Sequence, residues 1–487
     1  MKLIYGVKDR PSVPRILLFA LQQLLAILAA TIAVPMIIGN GMSPSAALFG
    51  AGVGTLVYLL FTKFKSPVFL GSSFAFLGSM AAAFAGGVTA SLGYLGLIIG
   101  AIFAGLVYVI IAIIVKFAGV KWINKIMPAV VIGPTVAIIG LSLARNAVGD
   151  LMKGAVTNAE SVVLASPYIC LVCGLVTLAV TIVCSVYGKK LLKMIPFIIG
   201  ILAGYAVAAI FTGIGFAANV DALKVIDFSK FASMQWYPDF AFVKAFIQPD
   251  YGSTDIGAYI GTIAVAYIPV AFVVFAEHIA DHKNISSIIE TDLLEDPGLT
   301  RTLLGDGIGS MAGAFFGGCP NTTYGESVGC VAISGNASVV TILTTAIMAI
   351  VASFLAPFVT FLATIPPCVM GGVCIALYGF IAVSGLKMIQ KVDLGDNRNL
   401  FVVSVILIAG VGGLSLTFGK ITITSVACSL ILGILTNVLV NIKSKKAQPE
   451  AAETTETAET AETVEAAETD ETVKTAETVT EDKKEEE

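Results

Sequence analysis

Apolar runs of helix-spanning length recur along almost the whole chain, and they limit its fold more than any other feature. The first, ILLFALQQLLAILAATIAVPMIIG at residues 16–39, holds no charged residue. About twenty such residues cross the hydrocarbon core of a bilayer as a helix. Backbone polar groups in lipid must be satisfied internally, and runs of this length do so as helices. Charged residues are only 13% of the chain and hydrophobic ones 57%, whereas soluble domains carry about a quarter charged residues. The expected class is therefore an all-α polytopic membrane protein. No soluble catalytic domain or cofactor motif is visible, which argues against an enzyme, and nucleic acid is not an expected partner.

Reading apolar runs between charges gives about fourteen spans, beginning near residues 14, 45, 69, 92, 126, 167, 193, 256, 300, 320, 337, 362, 398 and 419. The start, MKLIYGVKDRPSVPR, is polar and basic, and the run after it is too long for the core of a cleavable signal. Lysines and arginines collect on the cytoplasmic side. With the N-terminus inside, twenty of those up to Lys446 fall inside and six outside, so both termini are expected in the cytoplasm and the protein in the cytoplasmic membrane. From residue 443 the chain becomes an acidic, repetitive tail, including ETTETAETAETVEAAETDE, with too few apolar groups to offset its ordering entropy. Eight cysteines are scattered over apolar segments, and the lone Cys-x-x-Cys, Cys170 and Cys173, reads as small helix-facing residues.

A weak repeat organises these spans. PAVVIGPTVAIIG from Pro128 and PCVMGGVCIALYG from Pro367 share the spacing P-x4-G-x6-G, 239 residues apart. They fall in spans five and twelve. A repeat of seven spans is odd, so the second copy enters the membrane from the opposite side, which predicts two inverted halves. The organisation expected is a cytoplasmic N-terminus at 1–13, a first half at 14–215, an extracellular connection at 216–255, a second half at 256–442 and a disordered tail at 443–487.

The third position of each half is irregular. FLGSSFAFLGSM and FFGGCPNTTYGESVGCVAISGNAS carry Gly, Ser, Pro, Asn and Thr where a helix would not choose them. Short extended segments are expected in spans three and ten, and non-helical backbone at membrane depth needs polar partners. Carboxylates collect near them. Glu277 and Asp281 are four apart on the eighth span and share one helix face, with His278 and His282 forming an adjacent pair. An acid inside a membrane faces a cavity or a partner and marks a functional site. Burial disfavours its charged form, which suits a group that takes up and releases a proton. Two helix faces about 100° apart make a poor closed metal shell, so no metal is expected. Glu326 is the second intramembrane acid, with Tyr324 offering a ring face and Gly325 open backbone. Two acids, open N–H groups and no arginine point to a flat, uncharged ligand bearing both N–H donors and C=O acceptors.

At these residues the chain resembles the nucleobase–ascorbate transporter family, most closely its bacterial uracil permeases. The resemblance spans residues 5–445 and rests on YGVKDRPSVPRILLFALQQLLAILAATIAVP, FLGSSFAF, AEHIADH, DLLEDPGL, CPNTTYGESVG and PPCVMGGVCIALYGFIAVSG. It implies fourteen spans in seven-plus-seven inverted halves, arranged as a core and a gate domain. It also implies that Glu277 and Glu326 accept the pyrimidine N–H groups and that the amides of Phe74 and Gly325 donate to its carbonyls. Proton coupling would run through Glu277, Asp281 and His278. Three positions depart from the family pattern. Gln22-Gln23 stands where the family carries Gln-His. Ser327 stands where it carries Asn. Asp281 occupies a place that is histidine in some uracil-carrying members. The expectation is proton-coupled uracil import by alternating access, without cofactor. Its partners are the base, protons and the bilayer, with a homodimer as one open assembly. A purine (xanthine or guanine) symporter of the same fold is the alternative.

Overall fold

The structure, a computed structural model, describes residues 3–119, 122, 127–157, 163–189, 192, 195–247, 249–390, 392–418 and 421–442. The acidic tail and several of the counted basic residues, such as Lys121 and Lys420, lie outside them. Residues 1–437 form one compact unit; of a second unit from Val438, the described part is the end of the last helix and Ile442.

Proline, serine and threonine set the helix starts. Helix α1 (Val13–Ile38) begins behind Ser12 with proline in its first turn and stops at Gly39, whose φ of 66° suits glycine. Helix α2 (Pro44–Phe61) starts on Pro44, with the Ser43 side chain accepting from Ala46 N. Strand β1 (Leu70–Ser72) then leads through a 3₁₀ turn, Phe74–Phe76, into the short α3 (Leu77–Ala83) and the long α4 (Ala90–Ala118). Helices α5 (Ala129–Ser142), α6 (Ala144–Asp150), α7 (Pro167–Tyr187) and α8 (Pro196–Ala217) follow.

Past the connection at 218–255 the order recurs. A long helix α9 (Ile256–Ile289), capped by Asp255, comes first. Then come α10 (Leu299–Gly317), strand β2 (Asn321–Thr323), α11 (Gly325–Ser334) and α12 (Val339–Ala352). Helices α13 (Ala356–Thr364), α14 (Pro367–Ile389) and α15 (Asn397–Val411), a hairpin of β3 (Leu416–Phe418) and β4 (Ile421–Ile423), and α16 (Ser425–Asn441) complete the chain. Each half thus runs long helix, helix, three-residue strand, half-helix, helix. Among the described residues, eight helices are long and apolar enough to cross a membrane. A ninth span results if α12 and α13, bent by 84° at their junction, count as one. The sequence places one span start near 337 and the next near 362; between them the chain breaks at Ser353–Leu355.

Small residues let these helices approach at backbone distance, as membrane helices do. A methyl at Gly50 of α2 would lie 2.4 Å from the carbonyl of Gly313 on α10. The repeated proline–glycine motif acts similarly. A methyl at Gly140 of α5 would sit 2.3 Å from the Tyr378 carbonyl of α14, and one at Gly372 of α14 would sit 2.3 Å from the Gly174 carbonyl of α7. Among the glycines of the two motif copies, Gly379, the last of the second, alone faces open space.

Candidate functional site

Strands β1 and β2 pair antiparallel, Leu70 with Thr323, Gly71 with Thr322 and Ser72 with Asn321. This mutual pairing satisfies two stretches of non-helical backbone in the protein interior. Ser73 N–H donates to the Pro320 carbonyl and Tyr324 N–H to that of Phe69, closing the ends. The pair therefore brings two helix starts together, at Phe74 and at Gly325. The first N–H groups of a helix have no partner within it, so both starts present open donors.

A cavity of about 340 Å³ opens at this meeting point, lined among others by Phe74, Glu277, Asp281, Tyr324, Gly325 and Glu326. Glu326 lies in the first turn of α11, where the positive end of the helix dipole favours a carboxylate. The Tyr324 hydroxyl donates to the Ser72 carbonyl at 2.8 Å, which fixes its ring against β1. Gly71 leaves the room: a methyl there would lie 2.2 Å from that ring. Phe74 packs edge-on against Tyr378 of α14, ring centres 5.4 Å apart.

Helix α9 sorts its polar residues by face. Glu277 and Asp281 line the cavity. Asp281 is buried and accepts a 2.8 Å hydrogen bond from the Thr323 hydroxyl. His278 and His282, one face round, are fully buried and stacked 3.9 Å apart. His278 bonds through Nδ1 to Asp306 Oδ2 at 2.7 Å and through Nε2 to Thr302 Oγ1 at 3.0 Å. His282 bonds to the Tyr58 hydroxyl, which meets Ser66 Oγ, each at 2.7 Å. Of the residues singled out in sequence, Phe74, Glu277, Asp281, Tyr324, Gly325 and Glu326 share the cavity, while His278 sits behind it on Asp306. Among the described residues, no group of three or more His, Cys, Asp or Glu could hold a metal ion.

Asp306 is the residue that the sequence reading passes over. It is fully buried in α10, within LLGDGIGSMAG. A lone acid in an apolar, glycine-rich run was the signal available. Gln23 is the other. Its amide donates to Ser327 Oγ and, at 3.3 Å, to the Ser327 carbonyl, and Phe69 N–H donates to the same Oγ at 3.1 Å. Two of the three departures from the family pattern, Gln23 and Ser327, are thus partners.

The sequence model of a transporter family described as the Permease family matches residues 14–418. The chain belongs to this family, the nucleobase–ascorbate transporters. It is a permease and a multi-pass membrane protein, not an enzyme. Relatives of this permease include the uracil permease of Bacillus caldolyticus, 40% identical over 93% of this chain and 97% of that protein. That of Bacillus subtilis is 37% identical over 93% and 98%. That of Escherichia coli K12 is 33% identical over 88% and 92%. Its fold is shared with the transmembrane domain of a cyanobacterial bicarbonate transporter, BicA, at a TM-score of 0.59 and 14% identity, covering 88% of this chain and 99% of that one. The overall structure of SLC26A9 matches at a TM-score of 0.60 and 13% identity, over 89% and 66%.

Proposed function

We propose that this permease imports uracil across the cytoplasmic membrane, driven by protons and by alternating access. The observation that carries the reading is the convergence of Glu277, Glu326 and two open helix starts on one cavity. Uracil is flat and uncharged, with two ring N–H donors and two carbonyl acceptors. Glu277 and Glu326 accept from the N–H groups. The amides of Phe74 and Gly325 donate to the carbonyls, and the Tyr324 ring covers the base. Uracil permeases at 33–40% identity over most of the chain support the substrate.

Coupling follows from the same arrangement. Glu277 and Asp281 are two acids one turn apart that line the same cavity. Holding both charged there is costly, so the loaded carrier takes up a proton at this pair and releases it inside. Asp306 and His278 stand behind as a fixed polar pair that orients α9. The recurrence of element order supports fourteen spans in two inverted halves, 14–215 and 256–442, as core and gate, with both termini cytoplasmic. Equilibrium binding of labelled uracil to the purified permease, competed by unlabelled uracil and by xanthine, tests the substrate. Saturable uracil binding that unlabelled uracil displaces and xanthine does not is expected; no saturable uracil binding, with labelled xanthine binding in its place, would make the base a purine.

A further inference from the structure

The stretch IYGVKDRPS, residues 4–12 ahead of α1, has no part in the cavity, yet it holds a definite place. Residues 4–9 lie along the break between α11, the half-helix that carries Glu326, and α12. Ile4 N–H and Tyr5 N–H both donate to the Gly335 carbonyl, at 2.7 and 3.1 Å. In return the Tyr5 carbonyl accepts from Ala337 N–H at 2.9 Å and the Val7 carbonyl from Val339 N–H at 3.1 Å. The Ser338 hydroxyl donates to the Asp9 carbonyl at 2.6 Å. Tyr5 and Asn336 form a parallel β-bridge. Helix ends leave carbonyls and amides without intrahelical partners, and here one strand supplies them for the end of α11 and the start of α12.

The same segment is fastened to α1. The Tyr5 hydroxyl accepts from the Arg15 guanidinium, and its ring lies edge-on to Phe19, centres 6.1 Å apart. Two turns further along α1, Gln23 reaches Ser327, the residue after Glu326. One continuous piece of chain, residues 4–23, therefore grips both ends of a ten-residue helix whose first turn carries the carboxylate. Gly335, with φ at 64°, completes the fit: a side chain there would be strained and would lie 3.2 Å from Ile4 Cγ1.

We propose that residues 4–9 are a positioning strap: the segment ahead of the first span fixes α11, and thereby sets the place of Glu326 and the affinity for the base. The inference rests on Glu326 being a base-binding carboxylate. It makes the chain's N-terminal segment a point from which the site can be tuned, because any partner or modification that lifts the strap loosens α11.

The test uses the full chain with Cys330, which lies in α11 and lines the cavity, as its only cysteine. Ile4→Pro with Tyr5→Pro removes the two N–H donors to Gly335, and Gly335→Val displaces the strap from the other side. Lys8→Ala, which lies in the strap with an exposed side chain and keeps every backbone bond, is the control. Maleimide labelling of Cys330 and uracil affinity are measured alongside the thermal midpoint. Expected are several-fold faster labelling and about tenfold weaker uracil binding in both disrupted variants, at a midpoint close to that of the control. Unchanged labelling, or faster labelling with unchanged affinity, would overturn the proposal. If the unmutated chain binds no uracil, the uracil reading falls, and the hold of the strap on α11 is judged by Cys330 labelling alone.

Discussion

Thr323 donates its hydroxyl to Asp281 at 2.8 Å, joining the strand that leads into Glu326 to the helix that carries Glu277. Glu277 and Glu326, two of the three acids that line the cavity, come from different elements, and this bond is a direct side-chain link between those elements. A buried acceptor left without its donor costs about 1–3 kcal/mol.

Thr323→Val and Asp281→Ala should therefore couple. In a double-mutant cycle on uracil affinity, an interaction energy of about 1–2 kcal/mol is expected. Strictly additive effects would show that the bond does not hold the site together.

The Tyr324 ring occupies the space that glycine leaves at position 71. Gly71→Ala should weaken uracil binding by roughly one to two powers of ten, the overpacking of a tight site costing about 1–3 kcal/mol. The same change in a Tyr324→Ser background should cost little further. An equal loss in both backgrounds would mean that Gly71 acts through the strand backbone and not through the ring.

His278 and Asp306 are both fully buried, and Asp306 holds the ring nitrogen at 2.7 Å. Asp306→Leu strands a buried polar group and should lower the thermal midpoint sharply, at a cost of about 3–5 kcal/mol. Asp306→Asn retains a hydrogen-bonding partner and should be milder. Identical midpoints for the two variants would contradict a role for the pair in holding α9.

The two copies of the proline–glycine motif should respond differently at their last glycine. Gly140→Val pushes α5 from α14, whereas Gly379 faces open space. Gly379→Ala should be neutral or raise stability by up to about 1 kcal/mol through helix propensity. Thermal midpoints in detergent decide it; a large loss at Gly379 would show a contact at that position.

Much of this was legible in the chain itself. The four-residue spacing of Glu277 and Asp281 told which helix face they share, and the Gly, Ser, Pro and Thr content of both irregular segments told where helix would fail. What was not legible is who meets whom. Thr323–Asp281, His278–Asp306 and Gln23–Ser327 join residues 42, 28 and 304 positions apart, and no local periodicity encodes such pairings. The bend between α12 and α13 was hidden for another reason. Its residues, Ser353-Phe354-Leu355, are mostly apolar, so hydropathy runs through a break that backbone geometry makes. Asp306 was missed because glycines around it made its run read as simple packing.

Accumulation of labelled uracil in proteoliposomes, with an inward proton gradient imposed or collapsed, tests the coupled-import reading most directly when the unmutated chain and Glu277→Gln are compared. The unmutated chain should concentrate uracil only while the gradient stands, and Glu277→Gln should fail to concentrate it under either condition. Uphill accumulation by Glu277→Gln, or uptake by the unmutated chain that ignores the gradient, would contradict the role given to Glu277.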